Sequence, residues 1–158
     1  MAGVEKKIRS ENLKAVARYI FKQAGSLPRE CDLLADHLIE ANLKGHDSHG
    51  IGMIPAYIGA LKVDELKLNA SPRIVSEFGS TLVLDGGLGL GQSIAHDAMA
   101  MGIERAKVQG STIVALHKSH HIGRIGHWAE QCAAAGLVSI HFVNVISEPV
   151  VAPFGGKE

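Results

Sequence analysis

The stretch LHKSHHIGRIGHW, Leu116 to Trp128, holds three histidines, His117, His120 and His121, between an apolar run and a helix-like pattern. Ser111 to Leu116 reads as a strand, and a helix is expected from Ile122 to Ala135, closed by Gly136. Strand-to-helix junctions are where α/β folds place reactive groups, because backbone amides point outward from a rigid scaffold. Imidazole, with an ordinary pKa of about 6.5, is the side chain suited to moving protons near neutral pH. A helix starting near Ile122 would favour an anionic group and hold a nearby imidazole neutral, able to accept a proton. The plainer alternative is a junction satisfied by its own backbone hydrogen bonds. His127 lies one turn into the expected helix, within reach of the junction, where it could orient a catalytic partner.

A second polar cluster, GHDSHG, spans Gly45 to Gly50. His46 and His49 are three residues apart, as for one helical face, and Asp47 or His121 would have to complete any metal site. Two histidines without a firm third ligand leave metal out of the preferred reading. Capping by Asp47 and Ser48, or a polar substrate-binding loop, explains the segment with fewer demands. In LVLDGGLGLGQ, Leu82 to Gln92, a strand, glycines and a helix come in the order of a dinucleotide fingerprint. The spacing is wrong: Gly87, Gly89 and Gly91 give GxGxG rather than GxGxxG, and no acidic residue closes the next strand. A turn that lets the chain pass close to another element accounts for these glycines equally well.

These segments need elements to position them. Apolar spacing predicts a helix over 11–24, with Ser10 as N-cap and Gly25 as stop. A second helix is expected from Pro28 to Lys44, a short third from Pro55 to Lys62, and a turn region from Asp64 to Pro72. His37 is expected at the surface or in packing. Beyond Pro72, Arg73–Phe78 and Thr81–Leu84 read as a hairpin about Gly79-Ser80, and Gln92–Val108 as a helix ended by Gly110. Leu137 to Val145, with His141 in its middle, alternates as a strand does, and the PFGG of Pro153–Gly156 reads as a turn. The expected organisation is an N-terminal helical region over 1–72, carrying the GHDSHG loop, and a partial α/β domain over 73–158.

Composition removes several classes of function. The 158 residues suit about one domain, and 46% hydrophobic content supports a core. Sixteen basic and sixteen acidic residues cancel, so neither nucleic acid nor an anionic membrane is indicated as a partner. No run approaches the roughly 18 apolar residues of a membrane span, and the N-terminus carries no apolar signal segment. Cys31 and Cys132, far apart and without a CxxC, read as reduced core thiols of a cytoplasmic protein. The final VVAPFGGKE reads as a loop with no closing element, as in a fragment of something longer.

Taken together, GHDSHGIGMIPAYI, LDGGLGLGQ, SHHIGRIGHWAEQCAAAG and VAPFGG resemble the malate/L-lactate dehydrogenase family, with the hydroxycarboxylate dehydrogenase B type nearest. The likeness runs from the first helix to Gly156, as an N-terminal portion of such a protein. It implies NAD- or NADP-dependent oxidoreduction of a small 2-hydroxy or 2-oxo acid. It also implies a homodimer with the active site between domains. The implied fold is α/β (α+β): a helical region followed by part of a largely antiparallel nucleotide-binding sheet, not a standard Rossmann fold. By the same resemblance, His121 is the proton-transferring residue, and Ser48 and His49 contact substrate or nicotinamide. His120, Gly123 and Asn144 fall at positions near the cofactor.

The chain departs from that pattern in places. Many members carry an arginine four residues after the histidine of the S-H-G motif, suited to a substrate carboxylate. Here that residue is Met53, and Arg124 is the candidate replacement. The strand that often ends Thr-Asn-Ser reads Val143, Asn144, Val145. Family enzymes are roughly twice as long, so most cofactor contacts would lie beyond Glu158. A catalytically silent chain that only folds or dimerises is therefore the other reading of these 158 residues.

Overall fold

The computed structural model describes residues 7–145. The elements run α1 (Ser10–Ala24), α2 (Pro28–Leu43), α3 (Ile54–Lys62), β1 (Arg73–Phe78), β2 (Thr81–Asp85), α4 (Gly91–Gln109), β3 (Ile113–His117) and α5 (Ile125–Ala134). Single 3₁₀ turns at Asp47–His49 and Ile51–Met53 lead from α2 into α3. The Pro153–Gly156 turn lies outside the described residues.

Local chemistry sets most of the helix ends. At Gly25 the backbone turns left-handed (φ 106°), and the Ser26 N–H reaches back to the Phe21 carbonyl at 2.9 Å. A side chain at that φ would strain the chain, which is why glycine ends α1. Ser10, expected as its cap, is instead the first helical residue, with Arg9 before it. Pro28 opens α2, where its fixed φ and missing N–H do no harm. The buried Glu30 carboxylate accepts from the Ser26 hydroxyl at 2.8 Å and the Asn69 N–H at 2.9 Å. It thereby ties the start of α2 to the segment ahead of β1.

Two apolar clusters form the interior. Ala17, Phe21, Leu34, Leu38, Tyr57, Leu66 and Leu90 are buried where α1, α2 and α3 meet the turn before α4. The smaller cluster joins Leu82 and Leu84 of β2 to Ala98 of α4, with Val114 and Leu116 of β3 packed against it. Both free cysteines, Cys31 and Cys132, are buried. The sheet order is β1-β2-β3. β1 and β2 are an antiparallel hairpin; β2 and β3 are parallel and joined through α4. The sheet is thus mixed, combining the hairpin with a βαβ unit.

Two expectations fail here. Residues 137–145 form no strand, although their sequence alternates, so His141 is not mid-strand. Val138, Ile140 and Phe142 stand 97, 80 and 93% exposed. Strand preference is realised only against a neighbouring strand, and among the described residues none pairs with this segment. Helix α5 starts at Ile125 rather than Ile122, because Gly123 (φ 73°) turns left-handed and Arg124 is extended. Of the two places expected for His37, surface or packing, the structure has packing: the residue is 2% exposed and stacks on Trp128.

Candidate functional site

The parallel register sets Asp85, at the end of β2, beside His117, at the end of β3. The glycine turn leaves β2 and the histidine junction leaves β3, so the two segments must meet. Gly86 N–H donates to the His117 carbonyl at 2.8 Å, Leu88 N–H to that of Lys118 at 2.7 Å, and His120 N–H to that of Gly89 at 3.1 Å. A Cβ on Gly91 would overlap the carbonyls of His120 and His121, and one on Gly86 would lie 3.0 Å from the Lys118 carbonyl. The turn's glycines thus seat the histidine junction against the start of α4. The close-approach reading of this turn holds, and the space a diphosphate would need at Gly91 is filled by the chain itself.

His121 sits at the end of a short chain of hydrogen bonds. Its Nδ1 lies 2.8 Å from the Tyr57 hydroxyl, which receives an N–H from the Gln92 amide at 2.8 Å. The His49 ring lies 5.2 Å from that of His121, and Ser48 Oγ is 2.9 Å from His49 Nδ1. The His120 ring stands edge-on to Tyr57 at 5.7 Å. Burial pushes the pKa of His121 down to about 4, with His49 and His120 adding to the effect. Burial alone lowers that of His120. The His121 ring is therefore held neutral, as a base requires, but burial is the main cause; the helix begins too late to supply it.

The loop that delivers Ser48 and His49 is anchored by Asn42. Its Oδ1 accepts the Ile51 N–H at 2.8 Å and its Nδ2 donates to Asp47 Oδ1 at 2.6 Å. A Cβ on Gly50 would overlap the Asn42 amide, so the glycine makes room for that anchor. Asp47 thus takes the loop-bonding role.

Around Arg124 the same residue types behave differently. The guanidinium is 8% exposed and donates to both oxygens of Glu130, at 3.1 and 2.7 Å, with Glu40 at 3.8 Å. Lys44 bridges Glu40 and Glu130, each at 2.6 Å. The Arg124 and Lys44 hydrogen bonds pull the Glu130 pKa down to about 2. His127 bonds Glu40 rather than the junction. The Arg124 N–H donates to His37 Nε2 at 2.8 Å, and a Cβ on Gly123 would overlap that same nitrogen. Among the described residues the grouping with metal-ligand spacing is Glu40, His127 and Glu130, not His46, His49 and His121. Lys44 and Arg124 already neutralise its carboxylates.

Comparison with known proteins bears on this arrangement. Residues 8–158 match the family model described as malate/L-lactate dehydrogenase. The chain belongs to this family. It is 55% identical over 149 residues to hydroxycarboxylate dehydrogenase B of Escherichia coli O157:H7, covering 94% of this chain and 41% of that protein. It is 40% identical over 153 residues to an L-lactate dehydrogenase of Cupriavidus necator, covering 96% and 44%. A solved sulfolactate dehydrogenase from Methanocaldococcus jannaschii superposes with a TM-score of 0.76 at 37% identity, covering 79% of this chain and 36% of that one. The chain therefore spans about two-fifths of the length of such relatives.

Within this member of the family, the residues singled out in the sequence divide into two groups. Ser48, His49, His120 and His121 come together: Ser48 bonds His49, whose ring lies against His121, and Tyr57 meets both His121 and His120. Arg124 shares with His46, His49, Ile125 and Gly126 a cleft of about 400 Å³, its guanidinium engaged by Glu130. Met53 is half-buried against the helical core. Gly123 is filled by His37, and Asn144 is exposed in the unpaired segment. Sequence reasoning missed Tyr57 and Gln92. Tyr57 looks like an ordinary core aromatic in a helix, and Gln92 like an ordinary polar residue at the start of one; only their burial beside His121 distinguishes them.

Proposed function

We propose that the chain supplies part of a dehydrogenase for small 2-hydroxy or 2-oxo acids of the malate or lactate kind, using NAD or NADP. The observation that carries this reading is His121: a half-buried, neutral imidazole tied at Nδ1 and set against His49, which lines an open cleft. That donor set fits a nicotinamide site on its proton side, because hydride removal from a hydroxyl carbon needs a nearby base for the hydroxyl proton. A bound nicotinamide supplies the hydride acceptor or donor. His121 takes the hydroxyl proton in oxidation and returns one to the oxo group in reduction. Ser48 and His49 hold the substrate's polar oxygens. Arg124, lining the same cleft, receives the carboxylate by exchanging Glu130 for it. His120, Gly123 and Asn144 are the positions through which the chain contacts the cofactor in this reading, and the assembly is a cytoplasmic homodimer. Family membership and the names of the relatives support the substrate class.

His121→Ala in the whole protein that carries this chain tests the assignment. A loss of at least about 100-fold in kcat/KM, with the fold retained by circular dichroism, is expected. Turnover within a few-fold of wild type removes His121 from the chemistry.

A further inference from the structure

We infer that Tyr57, directed by Gln92, is the positioning residue that sets which nitrogen of His121 carries the ring proton. This inference rests on the proton-transfer role just proposed for His121, and it concerns a control on that role. The reasoning is one of hydrogen-bond counting. A phenol has one proton to donate. Gln92 Nε2 donates to the Tyr57 oxygen at 2.8 Å, so the Tyr57 proton is free to go to His121 Nδ1, also at 2.8 Å. With Nδ1 accepting, the proton of the neutral ring belongs on Nε2. Tyr57 is fully buried and Gln92 is 1% exposed, so water does not compete for these bonds.

An Nε2–H ring is a donor, matched to the oxygen of a 2-oxo acid. A hydroxy acid needs the opposite: a lone pair on Nε2 to receive its proton, and hence the ring proton on Nδ1. Reversal then requires Tyr57 to accept from Nδ1–H and pass its own proton elsewhere. Gln92 has the group for that. Its Oε1 is buried and, among the described residues, without a hydrogen-bond partner. A half-turn of the amide, whose two ends are nearly the same size, brings this oxygen to Tyr57. The chain then runs His121 to Tyr57 to Gln92 instead of the reverse. No atom is gained or lost in the switch: one proton leaves Nε2, one arrives at Nδ1, and the phenol proton changes partner. In the subsequent oxidation step, the substrate hydroxyl proton goes to Nε2 and its hydride to the nicotinamide cofactor. Reduction is the same step reversed: the imidazolium, protonated on both nitrogens, returns its Nε2 proton to the oxo oxygen and is left with the proton on Nδ1. The switch therefore governs how the neutral ring meets a bound substrate, donating from Nε2 to an oxo oxygen or accepting there from a hydroxyl.

The experiment reads ring ¹⁵N shifts of His121 in the whole histidine-labelled protein near neutral pH, for wild type, Tyr57→Phe and Gln92→Glu. Wild type is expected to show Nδ1 as the unprotonated nitrogen. Gln92→Glu, whose ionised carboxylate only accepts, is expected to draw the Tyr57 proton to itself and move the ring proton to Nδ1. Tyr57→Phe is expected to give a mixture of both tautomers and to lower kcat at least about tenfold with KM within about twofold. A protonated Nδ1 in the wild type overturns the inference. So does a tautomer in Tyr57→Phe identical to wild type, which decides the matter even where Gln92→Glu fails to fold. Because the shifts are read without turnover, a protein whose tautomer obeys Tyr57 but whose His121→Ala variant stays active keeps this inference and loses the dehydrogenase assignment.

Discussion

His121 and Arg124 stand three residues apart in sequence and both lie just ahead of one helix, yet their surroundings are opposite in kind. No carboxylate meets His121 among the described residues: it bonds the Tyr57 phenol, itself bonded by the Gln92 amide, and lies against the His49 ring, with His120 next to it in the chain. Among the described residues the second ring nitrogen of His121 has no hydrogen-bond partner. Arg124 is met by two carboxylates, which Lys44 further neutralises and one of which hydrogen-bonds His127. Every strong charge there has an opposite charge in reach. Among the described residues each region leaves buried polar atoms without a hydrogen-bond partner, Gln92 Oε1 and His120 Nδ1 in the first, Arg124 Nε and His37 Nδ1 in the second, so the contrast lies in charge. The second uses its polar groups to hold α2 to α5. A titratable group without a charged partner is where proton transfer is expected, whereas neutralised charges hold elements together until a competing carboxylate displaces one of them.

Acid is expected to disturb both regions most strongly. Burial pushes His37, which braces Arg124, down to about 3, and His121 down to about 4. Each is neutral in the fold and takes up a proton more readily once unfolded. Their contribution is therefore complete above about pH 6.5, and is lost as pH falls toward about 4 for His121 and about 3 for His37. Each proton costs on the order of 1 kcal/mol of stability per pH unit in that window. Urea melts from pH 7 to 4 check this: His37→Gln, which keeps an acceptor for the Arg124 N–H, should flatten the slope by about one proton. An unchanged slope would show that His37 is not the titrating group.

Gly91→Ala separates the regions. The added methyl meets the backbone of His120 and His121, which cannot rotate away. A loss of about 1–3 kcal/mol is expected, together with displacement of His121 from Tyr57. The Arg124 cluster, which Gly91 does not touch, should keep its ion pairs. Chemical-shift mapping shows whether the changes stay on the junction; a change centred on Glu130 instead would mean the two regions are one.

Glu130→Gln has the smallest expected effect. The glutamate is half-exposed and Glu40 remains nearby, so about 1 kcal/mol is at stake. The His121 ring shifts should stay where they were. If they move, the ion-pair cluster tunes the histidine and the contrast between the two regions is wrong.

Local signals located the helices and strands through β3 to within a few residues, because their causes are local: apolar spacing, Pro28 at a helix start, Gly25 and Gly110 in left-handed stops. The alternation of Leu137–Val145 misled for a matching reason, since a strand needs a partner that its own residues cannot supply. At the site, His121, His120, Ser48 and His49 were visible as reactive residue types in unusual places. Their meeting was not.

By itself, then, the sequence determined the element types, the two histidine clusters and, through motif likeness, the family. The tertiary structure decided who touches whom. Parallel pairing of β2 with β3 put the glycine turn against the junction, and α3 carried Tyr57 beneath His121. It also assigned Arg124 to Glu130 and His37 to the interior. The reason is physical: propensities and caps act over one or two turns of chain, whereas burial, hydrogen-bond direction and charge neutralisation depend on groups up to 87 residues apart.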